Sequence, residues 1–235
     1  MPAQGGDTVP LGVGPKVDSR SARRPAPVTI RGRAVELSPI DPAKHGQALW
    51  EELAQPAQER LWRYLPDGPF SDEGAFLAQL ERLARSENRL FLAILDLATG
   101  RAQGWAALLR VEPEHRCLEL GYILFTPRLQ RTRGATEALF LISRHVFEEL
   151  GYRRLEWKCD SLNLPSRRAA ERLGFTFEGI FRQHMIVKGR SRDTAWYALL
   201  DGEWPARKAR LERWLAPTNF DPAGNQLLAL SDLPR

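Results

Sequence analysis

Residues 117–137 read CLELGYILFTPRLQRTRGATE. Residues 117–125 are apolar enough for a core strand, 126–131 form a Pro-punctuated loop, and an amphipathic helix opens just after it. The turn carries Gln130, Arg131, Thr132, Arg133 and Gly134, followed by the small residues Ala135 and Thr136. The first amides of a helix lack intrahelical acceptors and lie at the positive end of its dipole. With two arginines beside them, those amides make a cradle suited to linked phosphates.

Downstream, Ala135, Ala138, Leu139, Ile142, Val146 and Leu150 line one face of a helix that Gly151 stops. Residues 154–159 then form a strand parallel to 117–125, which predicts a right-handed strand–helix–strand crossover. Asn163 caps the next helix, with Pro165 in its first turn and Gly174 at its end. Residues 175–187 and 194–200 read as a closing hairpin around Lys188, Gly189 and Arg190, and 201–215 as a last helix. Upstream, 28–37 reads as a strand or hairpin, Asp41 and Pro42 start a helix to Leu53, and residues 71–85 form another. Residues 89–95, 102–111 and 117–125 alternate into an antiparallel meander. Strand alternation puts Leu118, Leu120, Tyr122 and Leu124 on one face, and Cys117, Glu119, Gly121 and Ile123 on the other.

The fold class is therefore α+β: a mixed, mostly antiparallel sheet of six or seven strands, flanked by helices and splayed where the two parallel strands meet. Residues 1–26, rich in Gly, Pro, Ser and Arg, are expected to be a flexible arm. Residues 27–215 form one domain and 216–235 an irregular extension, although Leu227–Leu230 could dock. The chain has 235 residues, with 34 basic and 29 acidic side chains and a formal charge of +5. That excess suits an anionic partner, or serves solubility alone. Two cysteines in core strands, no secretory h-region and no run long enough to cross a bilayer point to a cytoplasmic protein without a membrane partner. No spacing of His, Cys or acidic residues suggests a metal site.

The loop at 130–135 resembles the acyl-coenzyme A loop of the GNAT (GCN5-related N-acetyltransferase) superfamily, Gln/Arg-x-x-Gly-x-Gly/Ala. Gln130 and Ala135 match that pattern, and Arg133 stands where it has glycine. Four further segments resemble the RimJ/RimL-type branch of ribosomal-protein N-terminal acetyltransferases: TEA (136–138), EWKCDSLNLPSRRAAERLGF (156–175), EG (178–179) and RDTAWYALLDGEW (192–204). The likeness runs over about residues 28–215. It implies an acyltransferase that uses acetyl-CoA, with succinyl-CoA as an option that a pocket-facing arginine would signal. The acceptor is a primary amine, on a protein N-terminus or a small molecule, attacking the thioester directly. The resemblance assigns the diphosphate to Gln130, Arg131, Thr132, Arg133, Gly134, Ala135 and Thr136. It assigns the pantetheine to the backbone of Tyr122, Ile123 and Leu124 and to Asn163. Arg167 and Arg168, early in the helix that Asn163 caps, are placed to reach a nucleotide phosphate or stand solvated on its surface. Ser166 would protonate the departing thiolate. Glu119 has two readings, a base for the amine proton or a structural ion pair with an arginine. Trp62, Tyr64 and Trp105 line the acceptor pocket or pack the core. The rival function is a GNAT-fold module that senses acyl-CoA or docks on RNA or ribosomes without turnover, although nucleic acid is not the expected partner. A drug-modifying enzyme would show an acidic cleft. A homodimer stays open.

Overall fold

A computed structural model describes residues 12–233. Residues 1–11 of the expected arm lie outside the described residues. Eight strands form one sheet: β1 (Ile30–Arg31), β2 (Val35–Pro39), β3 (Leu90–Asp96), β4 (Ala102–Glu112), β5 (Cys117–Phe125), β6 (Arg154–Asp160), β7 (Thr176–Val187) and β8 (Arg190–Leu200). Their order is β1-β2-β3-β4-β5-β6-β8-β7. Among the described residues, only β5 and β6 run parallel, joined through α3 (Arg133–Arg144). The sheet exceeds the expected six or seven strands because 28–37 folds as a hairpin of two short strands. Strand β8 also begins directly after Gly189, at Arg190, rather than at Thr194.

Local chemistry sets the helix starts. The Asp41 side chain accepts from the Ala43 amide at 3.0 Å to cap α1 (Pro42–Leu53), and Asp72 accepts from Ala75 at 2.9 Å to cap α2 (Glu73–Ala84). Asn163 caps α4 (Leu164–Leu173), accepting from the Ser166 amide at 3.2 Å. Helix α3 ends sooner than expected and passes into a π-helical turn, His145–Glu149; the wider winding still brings Val146 and Leu150 onto the core. His145 is buried there, against Glu149 Oε2 at 2.9 Å.

One face of the sheet is covered from β1 to β8 by α3, α4, α5 (Trp204–Leu215) and the C-terminal extension, whose Leu230 and Leu233 enter the same core, while the edge strand β7 stays largely exposed. Backbone bonds from Ala22 and Arg23 to Pro113 and Leu150 tie the chain before β1 to the body. The opposite face is covered only over β3, β4 and the end of β5. There α1, α2 and the 3₁₀ helix Pro56–Trp62 pack Leu49, Trp62 and Phe76 onto Trp105. Among the described residues, β6, β7 and β8 contribute nothing to this second core. The half of the face left uncovered is where the functional side chains gather.

Candidate active site

Strands β5 and β6 pair at Cys117–Arg154, Leu118–Leu155 and Glu119–Glu156, and then part. Beyond Glu119, β5 stays on β4 through a bulge: Ala107 faces Gly121 and Trp105 faces Leu124, so β5 carries one extra residue. Tyr122 takes a φ of 52° to accommodate it. The bulge overturns the simple alternation. Leu118 and Leu120 enter the core under α3, whereas Tyr122 and Leu124 join the core under α1 and α2, and Ile123 turns back to the first. A one-residue slip flips every later side chain, and this one frees the β6-side backbone edge of Tyr122, Ile123 and Leu124 from any strand partner. Gly121 leaves room for the Glu119 carboxylate, since a Cβ there would come within 2.8 Å of Glu119 Oε1.

The loop at the α3 N-terminus lies at one end of this gap. Thr132 is the N-cap, accepting from the Ala135 amide at 3.2 Å and donating to the Leu129 carbonyl at 2.7 Å. Among the described residues, the amides of Arg131, Arg133 and Gly134 meet no protein acceptor. Arg131 is exposed and holds a φ of 62°. Gln130 turns inward and donates to the Phe125 carbonyl at 2.9 Å. The Arg133 guanidinium lies over the Phe220 ring of the C-terminal extension, 5.1 Å from its centroid. Gly134 faces the sheet, where a Cβ would come within 2.9 Å of Val35 Cγ1, so its smallness serves helix-to-sheet approach. Ala135 is buried, and the Thr136 hydroxyl accepts from Arg172 at 3.0 Å. The structure thus leaves backbone amides and the Arg131 side chain for an anion, while the Gln130, Arg133 and Thr136 side chains are engaged by the protein.

Helix α4 begins on the β6 side of the gap. Asn163 uses its oxygen as the cap, leaving Nδ2 without a protein partner among the described residues. The Ser166 hydroxyl accepts from Trp157 Nε1 at 3.0 Å. One lone pair is thereby engaged, and the hydroxyl keeps a proton to give. Arg167 is committed to Tyr197 and to the Ser161 carbonyl, whereas Arg168 is exposed.

Glu119 is buried on the uncovered face. It pairs with Arg110 and with Lys158 Nζ, the latter at 3.3 Å. Its parallel neighbour Glu156 pairs with Lys158 at 2.6 Å and Arg154 at 2.9 Å, and Arg154 continues to Glu178 at 2.5 Å. Two carboxylates at paired positions repel, and the interleaved cations offset that. Burial disfavours the ionised Glu156, but Lys158 and Arg154 outweigh it and hold its pKa below the usual value. The Lys158 ammonium also sits 3.8 Å from the Trp196 ring centroid. Next along the floor, Trp196 packs against Phe181 in a tilted pair, and His184 contacts both. Burial pushes the His184 pKa down, with Arg110, Arg192 and Lys158 adding to it. Trp62 and Trp105 are buried in the core under α1 and α2, and Trp62 also borders a small cavity of about 90 Å³ beside Trp50 and Phe70. Tyr64 lies at the cleft's rim, donating to the Leu162 carbonyl at 3.2 Å, and Lys188 at the hairpin tip donates to the Trp62 and Asp67 carbonyls.

A strand pair that opens around a bulge, with free helix-terminal amides at one end of the gap, agrees with the comparisons to known proteins. The family model for the acetyltransferase (GNAT) domain matches residues 35–176. The chain belongs to the GNAT acetyltransferase family. It is similar to a GCN5-related N-acetyltransferase from Brucella melitensis, with 45% identity and a TM-score of 0.88 over 90% of this chain and 96% of that one. The Bacillus subtilis protein named "Uncharacterized N-acetyltransferase YnaD" is 27% identical over 68% of this chain and 91% of its own length. YdaF of the same organism, whose name proposes a ribosomal N-acetyltransferase, is 30% identical over 48% of this chain and 61% of its own. This GNAT enzyme is an N-acetyltransferase, and its partner is a coenzyme A thioester.

In the GNAT enzyme, burial disfavours the thiolate form of both cysteines. Burial and the Glu156 carboxylate push the Cys117 thiol to about 12, and burial raises Cys159. Sequence reasoning missed Arg110, Glu156, Lys158, His184, Arg192 and Trp196. Each is an ordinary polar or aromatic strand residue on its own. The signal was the alternation itself: Glu156 and Lys158 recur on one face of a strand, as do Arg192, Thr194 and Trp196 on another.

Proposed function

We propose that the enzyme transfers the acetyl group of acetyl-CoA to a primary amine by direct attack, with the thioester lying in the gap between β5 and β6. The single observation that carries this reading is the parting of those strands after Glu119, with the β5 bulge beside it and unpartnered amides at the α3 N-terminus. The diphosphate rests on the amides of Arg131, Arg133 and Gly134, assisted by the Arg131 side chain and, further out, Arg168. The pantetheine follows the free edge of Tyr122, Ile123 and Leu124, and Asn163 Nδ2 reaches it from the α4 side. Backbone N–H groups on that edge polarise the thioester carbonyl and stabilise the oxyanion.

The amine enters over the charged face, attacks the carbonyl carbon and expels the thiolate. Ser166, oriented by Trp157, gives that thiolate a proton. Glu119 is the centre of an ion-pair network that shapes the cleft floor, and the amine proton leaves to solvent. Arg110 and Lys158 both hold the Glu119 carboxylate, a geometry that favours its structural reading. An α-amine of a cytoplasmic protein is the proposed acceptor, in line with the RimJ/RimL-like motifs and with the name that YdaF bears. Thiol release from acetyl-CoA, measured across N-terminal peptides and small amines, tests the proposal. Turnover with peptide α-amines supports it, and a chain that binds acetyl-CoA but releases no thiol with any amine refutes it.

A further inference from the structure

The cleft floor is charged, and its buried carboxylates are each answered by a cation. Arg110 and Lys158 answer Glu119, while Arg154 answers Glu156 and Glu178. Arg192 has no carboxylate within ion-pair distance among the described residues. Its Nε donates to Thr194 Oγ1 at 3.2 Å, and its terminal nitrogens meet no protein acceptor. Thr194 is fully buried and also meets His184 Nδ1 at 2.9 Å, so the base of the arginine is fixed. The neighbouring carboxylates are engaged elsewhere: Asp160 accepts from the Leu162 amide at 2.8 Å and Asp193 from the Gln183 amide at 2.7 Å.

The position of Arg192 is as telling as its lack of a partner. Thr194 pairs with Asp160, the last residue of β6, and Arg192 lies one strand repeat beyond it, where the chain turns into α4. Ser161 donates to the Asp193 carbonyl at 2.8 Å, tying this part of β8 to the turn that carries Asn163 and Ser166. A cavity of about 810 Å³ opens against the hairpin, lined by Phe181, Arg182, Gln183, His184, Ser191 and Asp193; Arg192 is not part of that lining but lies between Ser191 and Asp193 on β8 and shares Thr194 with His184. Burial lowers the Arg192 pKa, and Asp160 and Glu119 act on it from a distance. A half-buried guanidinium with free N–H groups in a fork is built to receive an oxyanion in two-point contact.

We propose that Arg192 receives a carboxylate carried by the reacting partner, on the amine acceptor or on the acyl chain, and so selects an acidic substrate. This rests on the acyl-transfer reading of the same cleft. It names the substrate class that the reading leaves open.

Calorimetry on the full chain tests it with two matched ligand pairs. For the acyl chain the pair is succinyl-CoA and its terminal amide. For the acceptor it is glutamyl and glutaminyl dipeptides, titrated into the enzyme saturated with CoA. In one of the pairs the carboxylated member should bind about tenfold more tightly to the native chain, the scale of one charge-assisted contact. Arg192→Gln should close that gap and Arg192→Lys should restore part of it, with affinity for plain CoA as the check that each variant folds. Equal binding within both pairs, or a gap that survives in Arg192→Gln, overturns the assignment while leaving acyl transfer intact. Failure of plain CoA to bind the native chain overturns the acyl-transfer reading, and this inference with it.

Discussion

Replacing Glu119 by Gln keeps the side chain's shape and removes its charge, which separates its two roles. The carboxylate is about 5% exposed and answers two cations that differ in setting. Arg110 is 43% exposed and can regain water when its partner is lost, whereas Lys158 is 5% exposed. Lys158 nonetheless keeps Glu156 at 2.6 Å. Breaking a fully buried pair costs roughly 3–5 kcal/mol. With one cation rehydrated and the other still paired, the expected loss is about 2 kcal/mol. For a chain of this size that lowers Tm by about 4–8 °C. Thermal unfolding by circular dichroism and the pH profile of acetyl-CoA turnover are the paired assays. The network role predicts a lower Tm, a rate reduced by less than about tenfold, and an unchanged pH profile. General-base catalysis contributes about 10²–10⁴-fold. A drop of that size, with Tm unmoved and the pH profile altered, refutes the reasoning.

Two further outcomes are expected. Ser166→Ala should lower kcat by about tenfold or more through loss of a proton donor, with acetyl-CoA affinity little changed; normal kcat in steady-state assays removes Ser166 from the mechanism. His45 is buried, accepts the Asp41 amide at 3.0 Å, and has a pKa lowered chiefly by burial. The unfolded chain therefore takes up a proton first, and stability falls as pH drops through the ordinary histidine value near 6.5. His45→Asn should flatten that part of a Tm-against-pH curve, and an identical slope in both proteins counts against it.

The crossover from β5 through α3 to β6 was legible because it depends on local signals: an apolar run, a helical apolar stripe and Gly151 after it. The caps at Asp41 and Asn163 were legible for the same reason, since a cap is set by a residue and its next few neighbours. The β5 bulge was not. It is defined by register against β4, and Tyr122 carries no mark that it will adopt a positive φ. The ion-pair network was hidden likewise, because Arg110, Glu119 and Lys158 meet only once three strands are aligned. Arg133 shows the opposite failure. Its place in the loop suggested a phosphate ligand, but Phe220, far along the chain, takes its guanidinium. Glu137 went unread altogether. Its carboxylate accepts the amides of Arg33, Ala34 and Val35 at 2.9, 2.6 and 3.1 Å, anchoring the β1–β2 turn to α3 just behind the loop.

The phosphate cradle is the centre of the account, and one amide within it can be removed cleanly. Arg133 is the first residue of α3, where proline is favoured, and Thr132 before it is extended (φ −94°, ψ 166°), as proline requires. Arg133→Ala deletes the side chain and keeps the amide; Arg133→Pro deletes both. The decisive measurement is the calorimetric affinity of these two variants for acetyl-CoA. If the diphosphate rests on that amide, the proline variant binds at least about tenfold more weakly than the alanine variant, the worth of a hydrogen bond to a charged group. Equal affinities would place the diphosphate elsewhere and contradict the account.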